Sequence, residues 1–592
     1  MTRAKLDSKI LILLIIFVLL VLVIALGNLQ IIQGQKYGLI AEKNFVRIKN
    51  LQPVRGEIYD RNYQPIALNK PSINLYIIPG KIVDRTAVAE FVSDFFEIEL
   101  DKIKKVIRQN RFRLYNEVLL IQDIEYEKVV KAAEKFDIYP SLEFKAEYKR
   151  EYTYQNHFTG YVSNISDTDF QRLKDQGYTI NSHIGKSGLE LYYEEKLRGE
   201  NGYDILQVDA SGNSLEFFKH NMHQDPVNGA DMILTIDNDL QQYVSSIMPK
   251  NISGAVVVMD VRTGEVLAYV SKPDFDQNIF SKSISADVWN SLLSDTSKPM
   301  LDRVIHGSYP PGSVFKTIPA LLGLENNLID QTTKLISCEG GLQVGNRYFK
   351  CWLASGHGRL NVIDAIKYSC DVFFYDLSMQ LDLKDMEVFT KQNFLTKKTG
   401  IDLPGERNGF FPTIQWYVDN YGKHVNILGQ KVNLAIGQGE ILVTPLQICA
   451  HYSTIATNGV WRQPHLMKKF IKDDNEEHKI YHEMRLPSKA ENLKILQEAL
   501  YETINGKYGT GGAARVAGVD VYGKTGSAEN HMGKTTHAWF AGYASWEEPE
   551  LAFSVFLENG GHGGSAAAPI AQKVINFYNN QKIAKEKDLN GK

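Results

Sequence analysis

The sequence has little of what marks two common classes of protein. It holds 4 cysteines in 592 residues, and its formal net charge is only -3. So few cysteines argue against a scaffold held together by disulfides, and the small net charge gives no support for nucleic-acid binding, which requires a basic face. Apolar residues make up 44% of the chain and charged residues 23%. This composition is typical of a globular protein, and the length predicts two or three domains.

Long apolar runs are also absent, except for one near the N-terminus. Ile10 to Leu26 is an unbroken apolar run of 17 residues, which as a helix would be roughly 26 Å long and would cross a bilayer core. Three basic residues precede it: Arg3, Lys5 and Lys9. The positive-inside rule therefore predicts a cytoplasmic tail at 1–9, a single transmembrane helix at 10–27 and a large body outside the cytoplasm. A cleaved signal peptide is the competing interpretation.

Beyond the membrane segment, the character of the sequence changes once. Residues 28–230 alternate strand-like and helix-like pieces and contain no nucleophile beside a base, which predicts an α+β scaffold. Its first part, as far as about residue 49, is expected to continue the membrane helix. Residues 231–582 have strands at both ends around a helical middle, which predicts an α+β domain with one antiparallel sheet covered by helices. A polar tail at 583–592 follows.

One stretch of the second domain brings a serine hydroxyl near an amine. The rigid segment Tyr309-Pro310-Pro311-Gly312 leads to Ser313, and Lys316 follows three residues later. If a helix starts at or just before Ser313, positions i and i+3 share a face, so the amine of Lys316 can take the proton of the serine. An ordinary helix start, with Ser313 as the cap and Lys316 in solvent, is the alternative, and this short pattern alone does not decide between them.

Two further segments supply groups that acyl transfer requires. The first is Ser369-Cys370-Asp371, in which Ser369 can relay a proton between an amine and a leaving group. The second is Lys524-Thr525-Gly526-Ser527, which ends a predicted strand that begins at Val519.

The second of these segments offers positive charge and access to the backbone. Lys524 would keep the lysine of the first pattern deprotonated and attract a substrate carboxylate, and Thr525 adds a hydroxyl donor. Gly526 lets a peptide backbone lie close to the edge of the strand. The backbone N–H groups of Ser313 and Ser527 would bind an oxyanion, which is usually the largest contribution to catalysis of this kind.

Taken in this order, the patterns S-x-x-K, S-x-D and K-T-G resemble those of the penicillin-binding proteins and the serine β-lactamases. The sequence resembles the class B penicillin-binding proteins over almost its whole length. Further segments carry the resemblance: Arg55 to Asn62, Gly185 to Gly202, Ala435-Ile436-Gly437-Gln438-Gly439 and Thr444-Pro445-Leu446-Gln447. The Tyr-Pro-Pro-Gly-Ser entry and Asp371, where most relatives carry Asn, are most similar to the penicillin-binding protein 2 group of the elongation system.

The resemblance implies a fold, an activity and a cell compartment. It implies an elongated pedestal of the dimerisation type at 28–230 and a transpeptidase domain at 231–582. That domain would cross-link the D-Ala-D-Ala stem peptides of peptidoglycan through an acyl-enzyme on Ser313, and β-lactams would acylate it. The substrate would meet the side chains or backbone of four residues: Asp371, Thr525, Gly526 and Ser527.

The resemblance also implies partners and a location. A SEDS-type glycosyltransferase of the elongation complex would be the partner, no organic cofactor would be needed, and the catalytic domain would lie in the periplasm on a single inner-membrane anchor. Two rival interpretations stay open, a serine β-lactamase and a non-catalytic penicillin sensor or scaffold.

Three of the four cysteines lie in one window with a histidine. The set is Cys338, Cys351, His357 and Cys370. A Cys3His composition is found in structural zinc sites, and the segment resembles one that holds a metal in some penicillin-binding protein 2 relatives. A disulfide between Cys338 and Cys351, or no bond at all, is the alternative. A zinc ion here would brace, from behind, the loop that carries Ser369 and Asp371.

Overall fold

The computed structural model of the protein describes residues 2–33, 46–112, 114, 116–179, 182–207, 223–282, 284–530 and 535–590. The chain divides into two compact units. The first comprises Met1–Val54, Ser72–Glu147 and Gly199–Gly229, and the second comprises Arg55–Pro71, Tyr148–Arg198 and Ala230–Lys592. Helices and sheets occur in both units, so the predicted α+β class is confirmed. The domain ranges taken from the sequence are consecutive, whereas these units interleave along the chain, and the ranges stay a prediction.

The N-terminal helix comprises Thr2–Gly27 and is extended by the π-helix Asn28–Ile32. Its stretch Ile10–Ile31 has a mean hydropathy of 3.7, and none of it is buried against the rest of the protein. Among the described residues, this is the one helix that is long and apolar enough to cross a membrane. The apolar run predicted to span a bilayer is therefore helical, and its orientation stays a prediction.

The rest of the first unit begins with a small sheet. Val46–Leu51 pairs antiparallel with Gly202–Gln207, which in turn pairs with His223–Gln224. The predicted helical continuation is therefore wrong for residues 46–49, and its part at 34–45 lies outside the described residues. A strand forms there because its hydrogen-bond partners come from a segment far away in the sequence, which a local pattern does not reveal.

A helical subdomain completes the first unit. It is built from three helices and a strand: Arg85–Phe96, Leu100–Gln109, Tyr126–Ala133 and Val118–Ile121. Asp84 caps the first helix by accepting two backbone N–H hydrogen bonds. Val88 and Val92, one helical turn apart, pack with Ile103 of the second helix in the core of this subdomain.

The second unit contains a central five-stranded sheet and many shorter elements around it. Its outer helices are Asp167–Leu173, Gly188–Tyr192, Glu194–Leu197, Asn238–Ile247, Ala286–Ser294, Leu383–Gln392, Ile414–Tyr421, Ile427–Ala435 and Gly563–Ala566. Its outer strands are Ile58–Tyr59, Val162–Asn164, His183–Gly185, Asp231–Leu234, Gly341–Val344, Arg347–Lys350, Val460–Arg462, Met467–Lys472, Asn475–Glu477 and Glu483–Arg485. Strands Pro65–Ile77 and Leu142–Tyr152 have residues in both units.

A buried ion network ties together separate segments of the second unit. The carboxylate of Glu190 accepts hydrogen bonds from the Nε atoms of Arg55 and Arg150, each at 2.7 Å. Arg55 also donates from Nη2 to Glu194, at 2.7 Å. Glu190 is fully buried and Arg150 nearly so. Charges this deep are tolerated in a fold only when each has such a partner.

The central sheet of the second unit has five antiparallel strands. They are β1 (Gly254–Asp260), β2 (Val266–Lys272), β3 (Asp520–Ala528), β4 (His537–Ser545) and β5 (Pro549–Leu557). Their order across the sheet is β2, β1, β5, β4, β3. β1 and β2 form the hairpin that the sequence predicts, and β3 lies at one edge of the sheet.

Helices cover both faces of this sheet. The helices of this part of the unit are α1 (Thr317–Glu325), α2 (Val362–Lys367), α3 (Asp371–Gln380), α4 (Pro445–Ala456), α5 (Ala490–Asn505) and α6 (Ala568–Asn590). Because side chains alternate along a strand, Val256 of β1 packs in a core with Val574 of α6, whereas Val257 packs in the opposite core with Ile318 of α1. The predicted sheet covered by helices is therefore confirmed. Residues 583–590, predicted as a tail, continue α6.

Candidate active site

The predicted nucleophile lies in a tight turn of helix that precedes α1. Gly312–Lys316 is a 3-10 helix, and α1 begins at the next residue. Residues i and i+3 eclipse each other in a 3-10 helix, so Ser313 and Lys316 lie on one edge. Pro319 is the third residue of α1, where a missing backbone N–H removes no hydrogen bond within the helix.

Glycine backbones hold this turn in place. Gly312 has a φ of 56°, a left-handed conformation that favours glycine, and its N–H donates to the carbonyl of Gly437 at 2.9 Å. A Cβ atom on Gly437 would lie 2.1 Å from the Gly312 oxygen, so only glycine fits there. On the other side, the hydroxyl of Tyr452 in α4 donates to the Val314 carbonyl at 3.0 Å.

Lys316 joins the first two sequence patterns. Its side chain is fully buried, and Nζ lies 2.8 Å from the Ser369 carbonyl, 3.2 Å from Ser369 Oγ and 2.7 Å from Asp371 Oδ1. The ring of Phe374 lies 5.3 Å from the amine. Within the described part of the chain, no hydrogen bond joins Lys316 to the Ser313 hydroxyl. Because the side chain of Lys316 is fully buried, the alternative interpretation, a solvated lysine at an ordinary helix start, is wrong.

The loop between α2 and α3 carries Ser369 and leads to Asp371. Ser369 has a φ of 55°, and the next N–H, that of Cys370, closes α2 by donating to Ala365 at 2.9 Å. This left-handed turn directs both the carbonyl and the hydroxyl of Ser369 to the amine. Asp371 opens α3, and its second oxygen accepts the backbone N–H of Trp352 at 3.0 Å.

Lys524 is the second fully buried lysine of the site. It lies in the middle of β3, where Lys524 pairs with Ala541 of β4, and its Nζ donates to the Thr525 carbonyl at 3.0 Å. Burial lowers the pKa of Lys524 well below its usual value, a positive charge on Lys316 would lower that pKa further, and Asp371 opposes the shift. The structure thus brings the amine of Lys524 close enough to Lys316 and Asp371 for their charges to interact.

The lowered pKa of Lys524 predicts a pH-dependent stability. Between that lowered pKa and the ordinary lysine value of about 10.4, the unfolded chain binds more protons than the folded chain, so stability rises with pH. We expect Lys524→Met to raise the melting temperature at pH 7, and to raise it less at pH 10. Thermal unfolding at both pH values measures this, with the exposed Lys507→Met as control. An identical gain at both pH values would contradict the prediction.

The three residues after Lys524 continue β3 toward the nucleophile turn. The Thr525 hydroxyl donates to Thr510 at 3.1 Å, and a Cβ atom on Gly526 would lie 3.1 Å from the Pro311 oxygen. Ser527 Oγ lies 3.5 Å from Nδ1 of His562, and the carbonyl of Ser527 accepts a hydrogen bond from Gln438 at 3.2 Å.

The cysteine and histidine side chains form one cluster. The backbone N–H of Cys338 donates to the Gly358 carbonyl at 2.9 Å, and the N–H of Gly358 donates to the Cys338 carbonyl at 3.0 Å. This pairing brings His357 beside Cys338. Cys351 follows the hairpin formed by Gly341–Val344 and Arg347–Lys350, and Cys370 precedes α3. All four predicted ligand atoms lie within 4.8 Å of one another, and the cysteines are free thiols.

The geometry of this cluster fits a tetrahedral metal. His357 Nδ1 lies 3.6 Å from the sulfur atoms of both Cys338 and Cys351. Zinc bonds of about 2.3 Å to sulfur and 2.1 Å to nitrogen would place such atoms about 3.6 Å apart. A hydrogen bond between Cys351 and Cys370 lowers the pKa of Cys351 and raises that of Cys370, because the two thiols share a proton.

Some contacts of the site leave no signal in the sequence. Gln438 lies in the segment Ala435 to Gly439, whose residue types do not indicate a contact with Ser527. Thr510 and His562 belong to no catalytic motif, and only the fold brings them to β3. The Trp352 N–H that binds Asp371 is a backbone group, and backbone groups leave no signal in residue types.

Comparison with known proteins identifies the family. A model of the penicillin binding protein transpeptidase domain matches residues 254–576, and a model of the penicillin-binding protein dimerisation domain matches residues 50–234. The first match covers more than half of the chain and contains the three patterns. The chain belongs to the penicillin-binding proteins with a transpeptidase domain.

Individual relatives are similar over nearly the whole chain. The peptidoglycan D,D-transpeptidase MrdA of Haemophilus influenzae is 31% identical over 95% of this chain and 90% of its own length. MrdA of Acinetobacter baumannii is 31% identical over 95% of this chain and 86% of its own length. The predicted resemblance to the class B proteins of the penicillin-binding protein 2 group is therefore confirmed.

Solved structures agree with this family assignment. The chain is similar to one in a complex between penicillin-binding protein 2 and MreC from Helicobacter pylori, with a TM-score of 0.79, 28% identity and coverage of 90% of this chain and 99% of that one. It is also similar to Pseudomonas aeruginosa PBP2 in complex with WCK 5153, with a TM-score of 0.68, 26% identity and coverage of 90% and 96%.

Proposed function

We propose that this protein is a serine D,D-transpeptidase that cross-links peptidoglycan stem peptides during cell-wall elongation and is acylated by β-lactams. The observation that carries the proposal is the meeting of Lys316 with Ser369 and Asp371, one helical turn from Ser313. The relatives named peptidoglycan D,D-transpeptidase MrdA support the activity and the substrate class.

In the first step, Ser313 Oγ attacks the carbonyl of the D-Ala-D-Ala bond of a donor stem peptide. Lys316 takes the proton of the serine as the base. A neutral amine can donate its two hydrogens to the Ser369 carbonyl and to Asp371, which are both pure acceptors, and keep its lone pair for Ser313. The N–H groups of Ser313 and Ser527 bind the oxyanion that forms.

Collapse of the tetrahedral intermediate breaks the peptide bond. The terminal D-Ala leaves as a free amino acid once its nitrogen receives the proton, which Ser369 Oγ relays from Lys316. Lys524 and Thr525 hold the carboxylate of the leaving residue, and Asp371 and Gly526 line the path of the peptide. In the second step the amine of an acceptor strand attacks the acyl-enzyme, loses a proton to the same base and regenerates the Ser313 hydroxyl.

The family and the N-terminal helix also support a location and partners for the protein. We place residues 1–9 in the cytoplasm, the helix in the inner membrane and the catalytic domain in the periplasm, because basic residues precede the apolar run. A SEDS-type glycosyltransferase would supply the glycan strands, and a protein of the MreC kind, present with penicillin-binding protein 2 from Helicobacter pylori, would be a further partner.

A cross-linking assay tests the activity. Purified full-length chain, incubated with a donor peptide ending in D-Ala-D-Ala and an acceptor amine, is expected to release one D-Ala for each cross-link that mass spectrometry detects. Addition of the glycosyltransferase partner and its lipid substrate is expected to increase the yield. Release of D-Ala by hydrolysis alone under every condition would contradict a transpeptidase and favour a hydrolase.

We also propose that Cys338, Cys351, His357 and Cys370 hold a structural zinc ion. The donor set and the 3.6 Å distances support it. A zinc ion bound there would link the four residues rigidly and would take no part in the reaction, because the four residues would only position the neighbouring loop. Cys370 adjoins Ser369 and Asp371 along the chain, and Cys351 adjoins the Trp352 N–H that binds Asp371, so the cluster would fix the loop beside Lys316.

Metal analysis tests the zinc proposal. We expect about one zinc per chain in the purified protein, and we expect Cys338→Ser to lose the metal and to unfold at a lower temperature because a ligand of the site is removed. Cys449→Ser is the matched control, since Cys449 is buried far from the cluster in sequence and serves in no ligand set. A metal-free protein with a Cys338 to Cys351 disulfide, found by mass spectrometry, would reject the proposal.

A further inference from the structure

The loop that follows α5 lies between two of the catalytic segments. It extends from Gly506 to Gly511 and leads into the 3-10 helix Gly512–Ala514. Its residue Thr510 bonds on one side to Thr525 of β3, at 3.1 Å between hydroxyl oxygens. On the other side, Thr510 Oγ1 lies 3.3 Å from the carbonyl of Lys367. Lys367 ends α2, two residues before Ser369, so Thr510 links the K-T-G strand to the Ser369 loop.

The hydroxyl groups of this link have a fixed direction when no substrate is bound. The Lys367 carbonyl can only accept, so Thr510 donates its one hydroxyl proton to it, and Thr510 Oγ1 is left to accept the proton of Thr525. In this arrangement the Thr525 hydroxyl points its proton away from any carboxylate bound at β3. A substrate carboxylate, which is also a pure acceptor, requires the opposite direction.

The reversal leaves no carbonyl group of this link without a hydrogen-bond donor. The Lys367 carbonyl also accepts the backbone N–H of Thr510, at 3.4 Å, so it keeps a donor when the Thr510 hydroxyl turns away. Thr510 can then donate to Thr525, and Thr525 can donate to the carboxylate, and hydrogen bonds aligned in one direction strengthen each other.

We propose that Thr510 is a positioning residue for the donor carboxylate. It holds the Thr525 hydroxyl in place and reverses its own hydrogen bond when a carboxylate binds, so that both hydroxyl protons point toward the ligand. This inference rests on the proposed function, and it names the part of that site that recognises the free carboxylate of stem peptides and penicillins.

Other contacts hold the loop independently of the Thr510 hydroxyl. Arg515 donates from Nε to the Ile504 carbonyl at 2.6 Å, and Asn505 donates to the Val521 carbonyl at 3.0 Å. The N–H of Gly511 donates to Thr503 at 3.0 Å. Loss of one hydroxyl group should therefore leave the fold of the loop intact.

Acylation kinetics with a fluorescent penicillin test the inference. Thr510→Val keeps the size of the side chain and removes the hydroxyl, and we expect the second-order rate constant of acylation to fall about tenfold. Thr510→Ser keeps the hydroxyl and is expected to stay within about twofold of the wild type. In a Thr525→Val background, Thr510→Val should have almost no further effect, because the group through which it acts is gone.

Each outcome of this experiment is decisive. Wild-type rates in Thr510→Val, equal losses in the valine and serine variants, or independent effects of the Thr510 and Thr525 substitutions would overturn the inference. A melting temperature that falls together with the rate in Thr510→Val and Thr510→Ser would do the same, since that pattern reports a structural role. Ser313→Ala is measured alongside: acylation that survives it rejects the proposed function, whereas wild-type acylation at Ser313 with no Thr510 effect rejects only this inference.

Discussion

Replacement of Ser313 by alanine is expected to abolish covalent labelling of the purified protein by a fluorescent penicillin. The hydroxyl of Ser313 is the atom that would form the ester with the opened β-lactam, and removal of a nucleophile costs at least about 10³-fold in rate. Lys316 and Lys524 are both fully buried and would stay in place, so the loss should be chemical and not a failure to fold.

Labelling on a gel, followed by peptide mapping, measures this result. Ser308→Ala is the matched control, because Ser308 directly precedes the segment Tyr309-Pro310-Pro311-Gly312 that leads to Ser313, and it should label like the wild type. Unchanged melting temperatures in both variants would show that the turn still folds. Label that persists in Ser313→Ala, or that maps to Ser369, would show that the nucleophile has been assigned to the wrong residue.

The second large effect concerns the stability of the fold. Glu190→Gln is expected to lower the free energy of unfolding of the second unit by about 3–5 kcal/mol, because it leaves the buried guanidinium group of Arg150 without its ion-pair partner and removes one of the two carboxylates that pair with Arg55, which keeps Glu194. Burial alone raises the pKa of Glu190, yet Arg150 and Arg55 outweigh it and lower that pKa, which shows how strongly the pair favours the carboxylate.

Chemical denaturation followed by tryptophan fluorescence measures this loss. Glu477→Gln provides the control, since Glu477 and its partner Lys196 are both exposed and exposed ion pairs contribute only about 0–1 kcal/mol. Equal denaturation midpoints for Glu190→Gln and the wild type would contradict this prediction, because they would mean that other groups compensate the charges of Arg55 and Arg150.

The sequence alone predicts the site better than it predicts the contacts around it. Ser313, Lys316 and Lys524 could be chosen because acyl transfer needs a nucleophile, a base and positive charge, and few residue types provide them. The sheet could be predicted because its strands alternate or are apolar throughout. The prediction that this strand runs from Val519 to Ser527 agrees with β3, although Lys524 and Gly526 are poor strand formers and pairing with β4 keeps them extended.

Prediction from the sequence fails where segments that are far apart along the chain meet in the fold. Val46 and Ile48 alternate with Arg47 and Lys49, which is a strand pattern that the predicted helix overlooked. The pattern is short, and its pairing partner lies far away in the sequence, in Gly202–Gln207. Thr510 reaches Thr525 through a loop whose residues resemble any polar turn. The left-handed backbone of Ser369 is likewise invisible in the sequence, because serine gives no warning of a positive φ. Tertiary contacts decide each of these features.

The contact between Gly312 and Gly437 has a consequence for how resistance to β-lactams can evolve. Because any side chain at Gly437 would collide with the backbone that leads into the nucleophile turn, we expect a substitution there to remove acylation by β-lactams and the cross-linking activity together, so that it offers no route to resistance. Under antibiotic selection, tolerated substitutions should therefore accumulate at the open rim of the cleft, and these glycines should remain a fixed target for inhibitor design.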